Sequence, residues 1–171
     1  MNQKKNNIAI IILAAGSSSR LGRPKQLLEL NGKTLLQKSI ETALNVSINV
    51  TVVLGANENL VRPTISGFPI NIILNENWIS GMSGSIQTGM SALKNNEFQA
   101  VLIMLCDQPF INASILKGMI EVFEKNKFPI VASEYEKKVG VPAIFDASFF
   151  QKLKMLKGQK GAKKLIMNNL D

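Results

Sequence analysis

The chain of 171 residues contains no histidine and a single cysteine, Cys106. The lack of histidine excludes Ser-His-Asp and Cys-His catalytic groups, imidazole bases and histidine-ligated zinc sites. A single cysteine excludes an internal disulfide and a cysteine-rich metal centre. It indicates a reducing compartment, so we expect a cytoplasmic protein. Cys106 is expected in the core, because no histidine is present to activate its thiol.

Aromatic residues and long apolar runs are also scarce. There is one tryptophan and one tyrosine, too few for a platform on which nucleic-acid bases stack. No apolar run reaches the length of a membrane span. The basic start followed by an apolar run imitates a signal peptide, but that run is short. We therefore expect neither a nucleic acid nor a membrane as partner. The net charge of +8 favours polyanionic partners, which include nucleotides, nucleic acid and acidic lipids, and does not choose among them. A basic surface that only keeps the protein in solution is the alternative interpretation.

Short apolar runs alternate with helical periodicity along the chain. The runs at 8–14, 50–55, 70–74, 100–106 and 129–133 are typical of strands buried on both faces. Three apolar stripes with helical spacing predict helices: Leu36, Ile40 and Ala43; Ile86, Met90 and Leu93; and Ile115, Met119 and Val122. Thr34 and Asn112 are the predicted N-caps of the first and third helices. The basic segment 161–169 predicts a short C-terminal helix. This order predicts one α/β domain over 1–171, with a mostly parallel mixed sheet between two helical layers. The run 139–146 contains Pro142 and is predicted to be an edge or irregular strand.

The loop after the first strand reads "LAAGSSSRLGRPK" and covers residues 13–25. Its small residues let backbone N–H groups approach an anion, while Arg20 and Lys25 supply positive charge. Gly22 permits a positive φ, and Pro24 stiffens the turn. The loop matches neither a P-loop nor a G-x-G-x-x-G pattern. Two interpretations remain open, a phosphate-binding loop and a flexible turn of small residues.

Two further loops follow predicted strands. In "LCDQP", Asp107 follows an apolar strand directly, so it caps the following loop or helix, pairs with a cation or binds a metal ion. In "NENWISGMSGSIQTGM", three glycines are expected to give flexibility. Trp78 is interpreted as a packing residue or as a wall of a ligand pocket. Gly81 and Ser85 are predicted to lie at a helix N-terminus, where N–H donors point outward.

These stretches resemble the motifs of the nucleotidyltransferases that act on molybdenum cofactor. "LAAGSSSRLGRPK" is similar to L-A-A-G-x-S-x-R-M-G-x-x-K, with Leu21 in place of methionine. The middle loop is similar to N-x-x-W-x-x-G-x-x-x-S-x-x-x-G, and "LCDQP" resembles the family's metal-binding aspartate. "GVPAIFD" and "LKGQKGAKKLI" extend the resemblance over nearly the whole chain.

The resemblance implies a three-layer α/β/α, Rossmann-like nucleotidyltransferase fold of the nucleotide-diphospho-sugar transferase type. It implies Arg20, Lys25 and Asp107 as catalytic residues and Asp107 as a ligand of Mg²⁺. The residues implied to bind the nucleotide are Leu13, Ala14, Ala15, Gly16, Ser17, Arg20, Lys25, Gly81 and Ser85. Ala15 favours CTP over GTP, since guanylyl-transferring members have L-A-G-G there.

The implied reaction is transfer of CMP from CTP to molybdopterin or molybdenum cofactor, with release of pyrophosphate. A phosphate nucleophile is already ionised at neutral pH, which fits a chain without histidine. A molybdenum hydroxylase is the implied protein partner. The alternatives are an NTP:sugar-phosphate or alcohol-phosphate nucleotidyltransferase and a non-catalytic nucleotide- or cofactor-binding maturation factor.

One departure from the family concerns the C-terminal end. The family's D-[IL]-D-T-P-E-D stretch, which provides a second acidic metal ligand, is absent, and the sequence stops at Asp171. We expect that the chain lacks the family's C-terminal end, and Asp171 is not assigned the missing role.

Overall fold

The computed structural model describes residues 7–93 and 98–169; Asp171 lies outside the described residues. The strands are β1 (Ile8–Ala14), β2 (Glu29–Leu30), β3 (Lys33–Thr34), β4 (Val50–Leu54), β5 (Asn71–Leu74), β6 (Ala100–Leu105), β7 (Ile130–Tyr135) and β8 (Lys138–Asp146). The α-helices are α1 (Leu35–Leu44), α2 (Glu58–Ile65), α3 (Met82–Ala92), α4 (Ala113–Asn126), α5 (Phe150–Lys154) and α6 (Lys163–Met167). Short 3₁₀ turns cover Ser19–Leu21, Lys25–Leu27, Trp78–Ser80 and Ala147–Phe149. None of the helices in these ranges has the length and apolarity needed to cross a bilayer.

Six strands form one mixed sheet in the order β5-β4-β1-β6-β8-β7. The first four are mutually parallel, and β8 runs antiparallel to both β6 and β7. In the centre, Ile10 of β1 lies opposite Val50 on one side and Leu102 on the other. The prediction of a mostly parallel mixed sheet is confirmed.

Strand β1 supplies both hydrophobic cores because its side chains alternate between the two faces of the sheet. Ile8, Ile10 and Ile12 pack in the core that includes residues of α1, α2 and α4. Ile11 and Leu13 pack in the second core, with residues of α3, α5 and α6. The three-layer α/β/α arrangement is therefore confirmed.

Helices α1 and α4 begin at the two predicted caps. The Thr34 side chain accepts a hydrogen bond from the backbone N–H of Gln37, and Gln37 returns one to the Thr34 backbone. The Asn112 side chain accepts from the N–H of Ile115. Each contact satisfies an N–H group that has no partner within its helix.

The buried face predicted for α4 is wrong at two of its three positions, whereas Met119 is partly buried and packs against the first core. Ile115 and Val122 are 40% and 42% exposed, whereas Leu116, Ile120 and Phe123 are buried. Both sets follow the same i, i+4, i+7 spacing, so periodicity alone does not distinguish them. Phe123 has a larger apolar side chain than Val122, and burying it removes more apolar surface from water.

Strand β8 is an interior strand, and the expectation of an edge strand is wrong. It lies between β6 and β7, and β7 forms the edge. The alternative, an irregular strand, is confirmed, because the register with β7 shifts between Ala132 and Ser133. Pro142 lies beside this irregularity, and pairing with β6 begins only at the next residue, Ala143. The missing N–H group of Pro142 is therefore tolerated.

Two glycines expected to give flexibility, Gly84 and Gly89, lie inside α3. A Cβ at Gly89 would stand 2.7 Å from Cγ2 of Ile11. Gly89 therefore lets α3 pack closely on β1, and its role is close packing.

Candidate functional site

A cleft of about 320 Å³ lies at the carboxyl ends of the parallel strands. Loops following β1, β5 and β6 contribute to its walls, at the sheet edge where ligands bind in such folds. Eight of the residues predicted for the site line this cleft: Leu13, Ala14, Ala15, Gly16, Lys25, Gly81, Ser85 and Asp107. The chain thus brings together three loops that are far apart in sequence.

Ser17 and Arg20 are not part of the lining. Arg20 is exposed on the turn Ser19–Leu21, and its side chain has no ion pair or hydrogen bond with any residue in the described ranges. The nucleotide-binding roles of both residues remain predictions.

Sequence reasoning missed several lining residues: Ser18, Gln26, Met82, Leu105, Cys106 and Gln159. Most of them left no signal, because small or apolar residues in such positions are equally typical of a core. Gln26 left one signal, since it is a polar residue directly beside the candidate cation Lys25.

The first loop is built by a left-handed residue and a backbone-to-side-chain bond. Ser18 has φ +56°, and its Oγ accepts a hydrogen bond of 3.0 Å from the backbone N–H of Lys25. Gly22 has φ +70°, which confirms the predicted positive φ at this position. These contacts fold the loop back so that Lys25 reaches the cleft.

Lys25 and Asp107 meet across the cleft. The Lys25 Nζ lies 3.3 Å from the Asp107 Oδ2, and the two side chains are 49% and 32% exposed. The pair joins the loop after β1 to the loop after β6, 82 residues later in the chain. A cation and a carboxylate facing one cleft are chemically suited to a polyphosphate together with a divalent cation.

The loop that carries Asp107 is anchored to the antiparallel end of the sheet. The Gln108 Nε2 donates hydrogen bonds to the backbone oxygen of Val141 at 2.8 Å and to the Tyr135 hydroxyl at 3.3 Å. Both partners belong to the pair β7–β8. The position of Asp107 is therefore set by strands outside the parallel half of the sheet.

Cys106 precedes Asp107 and is buried, as predicted. Burial raises the pKa of its thiol to about 12, and the negative charge of Asp107 adds to this effect. The thiol is thus protonated at neutral pH and is not a nucleophile.

The middle loop is held by a buried amide. The Asn75 Nδ2 donates to the Ser85 Oγ at 3.1 Å, and its Oδ1 accepts from the N–H of Asn77. Gly81 caps α3 with φ +93°, and a Cβ there would collide with the Gln159 side chain. Trp78 packs against the second core, which confirms the packing role, and it also lines the cleft.

The family model described as "MobA-like NTP transferase domain" matches residues 10–171. The chain belongs to this family.

Curated relatives of this MobA-like chain carry different names. Nicotine blue oxidoreductase of Paenarthrobacter nicotinovorans is 38% identical over 112 residues, which cover 64% of this chain and 54% of the relative. A probable molybdenum cofactor guanylyltransferase of Natranaerobius thermophilus is 27% identical, over 77% of this chain and 64% of the relative. In these two comparisons, the chain spans about half to two thirds of the relative's length.

Solved structures share the fold of this MobA-like chain. Rv0371c of Mycobacterium tuberculosis superposes with a TM-score of 0.83 and 27% identity, over 96% of this chain and 84% of that one. A complex of the same mycobacterial protein with manganese gives a TM-score of 0.79 and 26% identity, over 94% and 82% of the two chains.

A divalent cation fits this site when the ligand supplies oxygen atoms. Within the ranges 7–93 and 98–169, no group of three or more His, Cys, Asp or Glu side chains could hold a metal ion. Asp107 is the one carboxylate on the described lining. A hard cation such as Mg²⁺ is commonly held by one or two carboxylates plus substrate phosphates. Asp107 supplies one carboxylate, which is the smaller of these two numbers.

Proposed function

We propose that this protein transfers a nucleotidyl group from a nucleoside triphosphate to a phosphorylated acceptor. The observation that carries this proposal is the meeting of Lys25 and Asp107 in the cleft at the carboxyl edge of the sheet. Membership of the MobA-like family supports it.

In the proposed reaction, a terminal phosphate oxygen of the acceptor attacks the α-phosphorus of the nucleotide. A new P–O bond forms, and the bond from the α-phosphorus to the bridging oxygen of the β-phosphate breaks. The bonding electrons leave with pyrophosphate. The attacking phosphate and the pyrophosphate leaving group are both ionised at neutral pH. No protein base therefore has to remove a proton, in keeping with the absence of histidine.

Each residue of the site then has a role in charge and position. Lys25 donates from its ammonium group to phosphate oxygens, which replace Asp107 as its partner. Arg20, on the exposed rim, adds positive charge to the phosphates. Asp107 holds Mg²⁺, and this ion, when bound, neutralises part of the triphosphate charge. Catalysis consists of positioning and electrostatic stabilisation.

We propose CTP as the nucleotide and a molybdopterin-type compound as the acceptor, with a molybdenum hydroxylase receiving the product in the cytoplasm. Ala15 supports CTP by the resemblance of its motif. The names of relatives that are guanylyltransferases support GTP instead, so GTP is the alternative that the experiment must distinguish.

Thermal unfolding with CTP, GTP, ATP and UTP, each with and without Mg²⁺, tests nucleotide binding. A ligand that binds the folded state raises the melting temperature. We expect the largest rise with CTP and Mg²⁺. Pyrophosphate release is then measured with a molybdopterin-type acceptor and, as a comparison, with sugar phosphates. No melting shift with any of the four nucleotides would contradict the proposal.

A second candidate is a non-catalytic protein that binds a nucleotide or cofactor and assists the maturation of a molybdenum hydroxylase. The observation in its favour is that the described lining holds a single carboxylate, Asp107. In this case the melting shift would persist, and pyrophosphate would not be released with any acceptor.

A further inference from the structure

Gln26 is a buried polar residue on the lining of the cleft, with only 2% of its surface exposed. Its side-chain Nε2 donates two hydrogen bonds to the loop after β1. One goes to the backbone oxygen of Ala14 at 2.7 Å, and the other goes to that of Gly16 at 2.9 Å.

These two contacts fix the orientation of the Gln26 amide. Both partners are carbonyl oxygens, which only accept hydrogen bonds, so the nitrogen must face them. A rotated amide would place its oxygen against two acceptors. Oε1 therefore lies on the opposite side of the amide. It is buried and accepts no hydrogen bond from any residue that the structure describes.

The same contacts also orient the loop. In a trans peptide, the C=O group and the following N–H group point in opposite directions. Since Gln26 holds the carbonyls of Ala14 and Gly16, the N–H groups of Ala15 and Ser17 both point away from it. The hydrogen bonds of Gln26 thus set the direction of the N–H groups of Ala15 and Ser17, and they also set the position of Oε1.

We propose that Oε1 of Gln26 accepts a hydrogen bond from the nucleoside half of a bound nucleoside triphosphate. This inference rests on the proposed function in taking such a nucleotide as the ligand. The ionised triphosphate offers only acceptors, whereas the nucleoside carries ribose hydroxyl groups and, in cytosine, an exocyclic amino group. Gln26 is then a specificity-determining residue. A ligand without the matching donor leaves a buried carbonyl oxygen without a partner, which is costly.

A double-mutant cycle between ligand and protein tests this contact. Calorimetry in the presence of Mg²⁺ gives the affinities of the wild type and of Gln26→Met for CTP, UTP, 2′-deoxy-CTP and 3′-deoxy-CTP. If CTP does not bind and GTP does, the same matrix uses GTP, ITP and the two deoxy forms of GTP. Any disturbance of the loop affects all analogues alike and cancels in the ratios.

In the wild type, we expect one analogue, the one that lacks the donor, to bind roughly tenfold more weakly than the parent nucleotide. In Gln26→Met, the two ligands are expected to bind equally. The analogue affected identifies the donor as the base amino group, the 2′-hydroxyl or the 3′-hydroxyl.

A matched control is Gln87→Met, since the Gln87 Nε2 also donates to a backbone oxygen, that of Leu156, and lies outside the cleft lining. It should keep the wild-type ratios. If Gln26→Met does not fold, as judged by circular dichroism, Gln26→Lys takes its place. That variant keeps N–H donors for the two backbone oxygens but has no acceptor oxygen, so it should lose the discrimination between the two ligands.

Equal ratios in the wild type and Gln26→Met for every analogue would overturn the role of Gln26 while leaving the proposed function standing. Retained discrimination in Gln26→Lys, where that variant is used, would do the same. If the wild type binds no nucleotide at all, the proposed function fails, and the inference fails with it.

Discussion

At the scale of single residues, the site depends on an ion pair between two side chains that can each bind something else. Lys25 and Asp107 are both partly exposed, so their attraction is screened by water and contributes little to stability. A pair of this kind is suited to exchange partners when a more highly charged ligand arrives.

Replacing Asp107 tests its predicted metal-binding role. Asp107→Asn keeps the shape of the side chain and removes the charge that would hold Mg²⁺. We expect a 10²- to 10³-fold fall in turnover, or about 3–4 kcal/mol of transition-state stabilisation, by comparison with other electrostatic groups in active sites. Steady-state pyrophosphate release measures it.

A matched control for Asp107→Asn is Glu41→Gln, which removes the carboxylate of another exposed ion pair, that with Lys33. This variant should retain wild-type turnover. Near-normal turnover of Asp107→Asn would show that the metal assignment is wrong.

Ala15 is the residue on which the expectation of CTP rests. It lines the cleft, and its methyl group packs closely on Gly55, since a Cβ built at Gly55 would stand 2.7 Å from the Ala15 Cβ. Ala15→Gly removes this methyl group and creates the L-A-G-G sequence. We expect the ratio of the kcat/KM values for CTP and GTP to fall, by about tenfold, because one methyl group in a pocket is worth about 1–3 kcal/mol of discrimination. An unchanged ratio would remove the support that Ala15 gives to CTP.

The Cys106 thiol predicts a pH effect on stability. Its pKa in the folded protein is raised from the ordinary value of 9.0 to about 12 by burial. Between these values the unfolded chain loses the thiol proton and the folded chain keeps it. Stability should therefore be unaffected below pH 9 and should fall as pH rises from 9 to 12. Urea unfolding of the wild type and Cys106→Ala between pH 8 and 10.5 measures this; parallel pH profiles would contradict it.

At the scale of secondary-structure elements, the packing of α3 on β1 places Gly81 and Ser85 at the cleft. Gly89→Ala would force a Cβ to 2.7 Å from Ile11, a fully buried side chain. We expect a loss of about 1–3 kcal/mol in the free energy of unfolding.

The control for Gly89→Ala is Gly118→Ala in α4, where a Cβ would meet nothing within 4 Å. Because alanine is the better helix former, this second variant should be about 0.5–1 kcal/mol more stable than the wild type. Denaturant unfolding of both variants gives the two values. Equal effects at the two positions would mean that close packing of α3 does not depend on Gly89.

The elements show what the sequence alone could predict. Continuous apolar runs and side-chain caps predicted β1 and the starts of α1 and α4, because these signals are local. The buried face of α4 and the interior position of β8 depend on which element packs alongside, and spacing carries no such information. The contacts of Gln26 were also out of reach, since they need the folded course of the loop after β1.

The candidate site divides in the same way. The loops bearing Lys25, Gly81 and Asp107 were predicted because they follow strands, and parallel strands bring such loops to one edge. The distance between Lys25 and Asp107, by contrast, depends on how each loop turns after its strand. The left-handed conformation at Ser18 contributes to that turn, and no residue type required it.

At the scale of the whole molecule, positive charge is concentrated near the C-terminal end of the described chain. Residues 147–169 include six lysines and no acidic residue, and Gln159 of this segment lines the cleft. A potential of this sign beside the cleft attracts an anionic ligand and is weakened by salt.

We therefore expect the affinity for CTP to fall severalfold when salt is raised from about 0.05 to 0.5 M, because the Debye length shortens from roughly 14 to 4 Å. Fluorescence of Trp78, which lines the cleft, measures binding. Cytidine, which carries no charge, is the control ligand and should bind independently of salt. The same salt dependence for both ligands would contradict an electrostatic contribution.

The ion pair between Lys25 and Asp107 has one more consequence, for the order in which ligands enter. A nucleotide arriving alone takes Lys25 and leaves a bare carboxylate beside its own negative charges. A cation arriving alone takes Asp107 and leaves a bare ammonium group beside a second positive charge. Only joint arrival leaves every charge with a counterion, so each ligand should strengthen the binding of the other by the same factor.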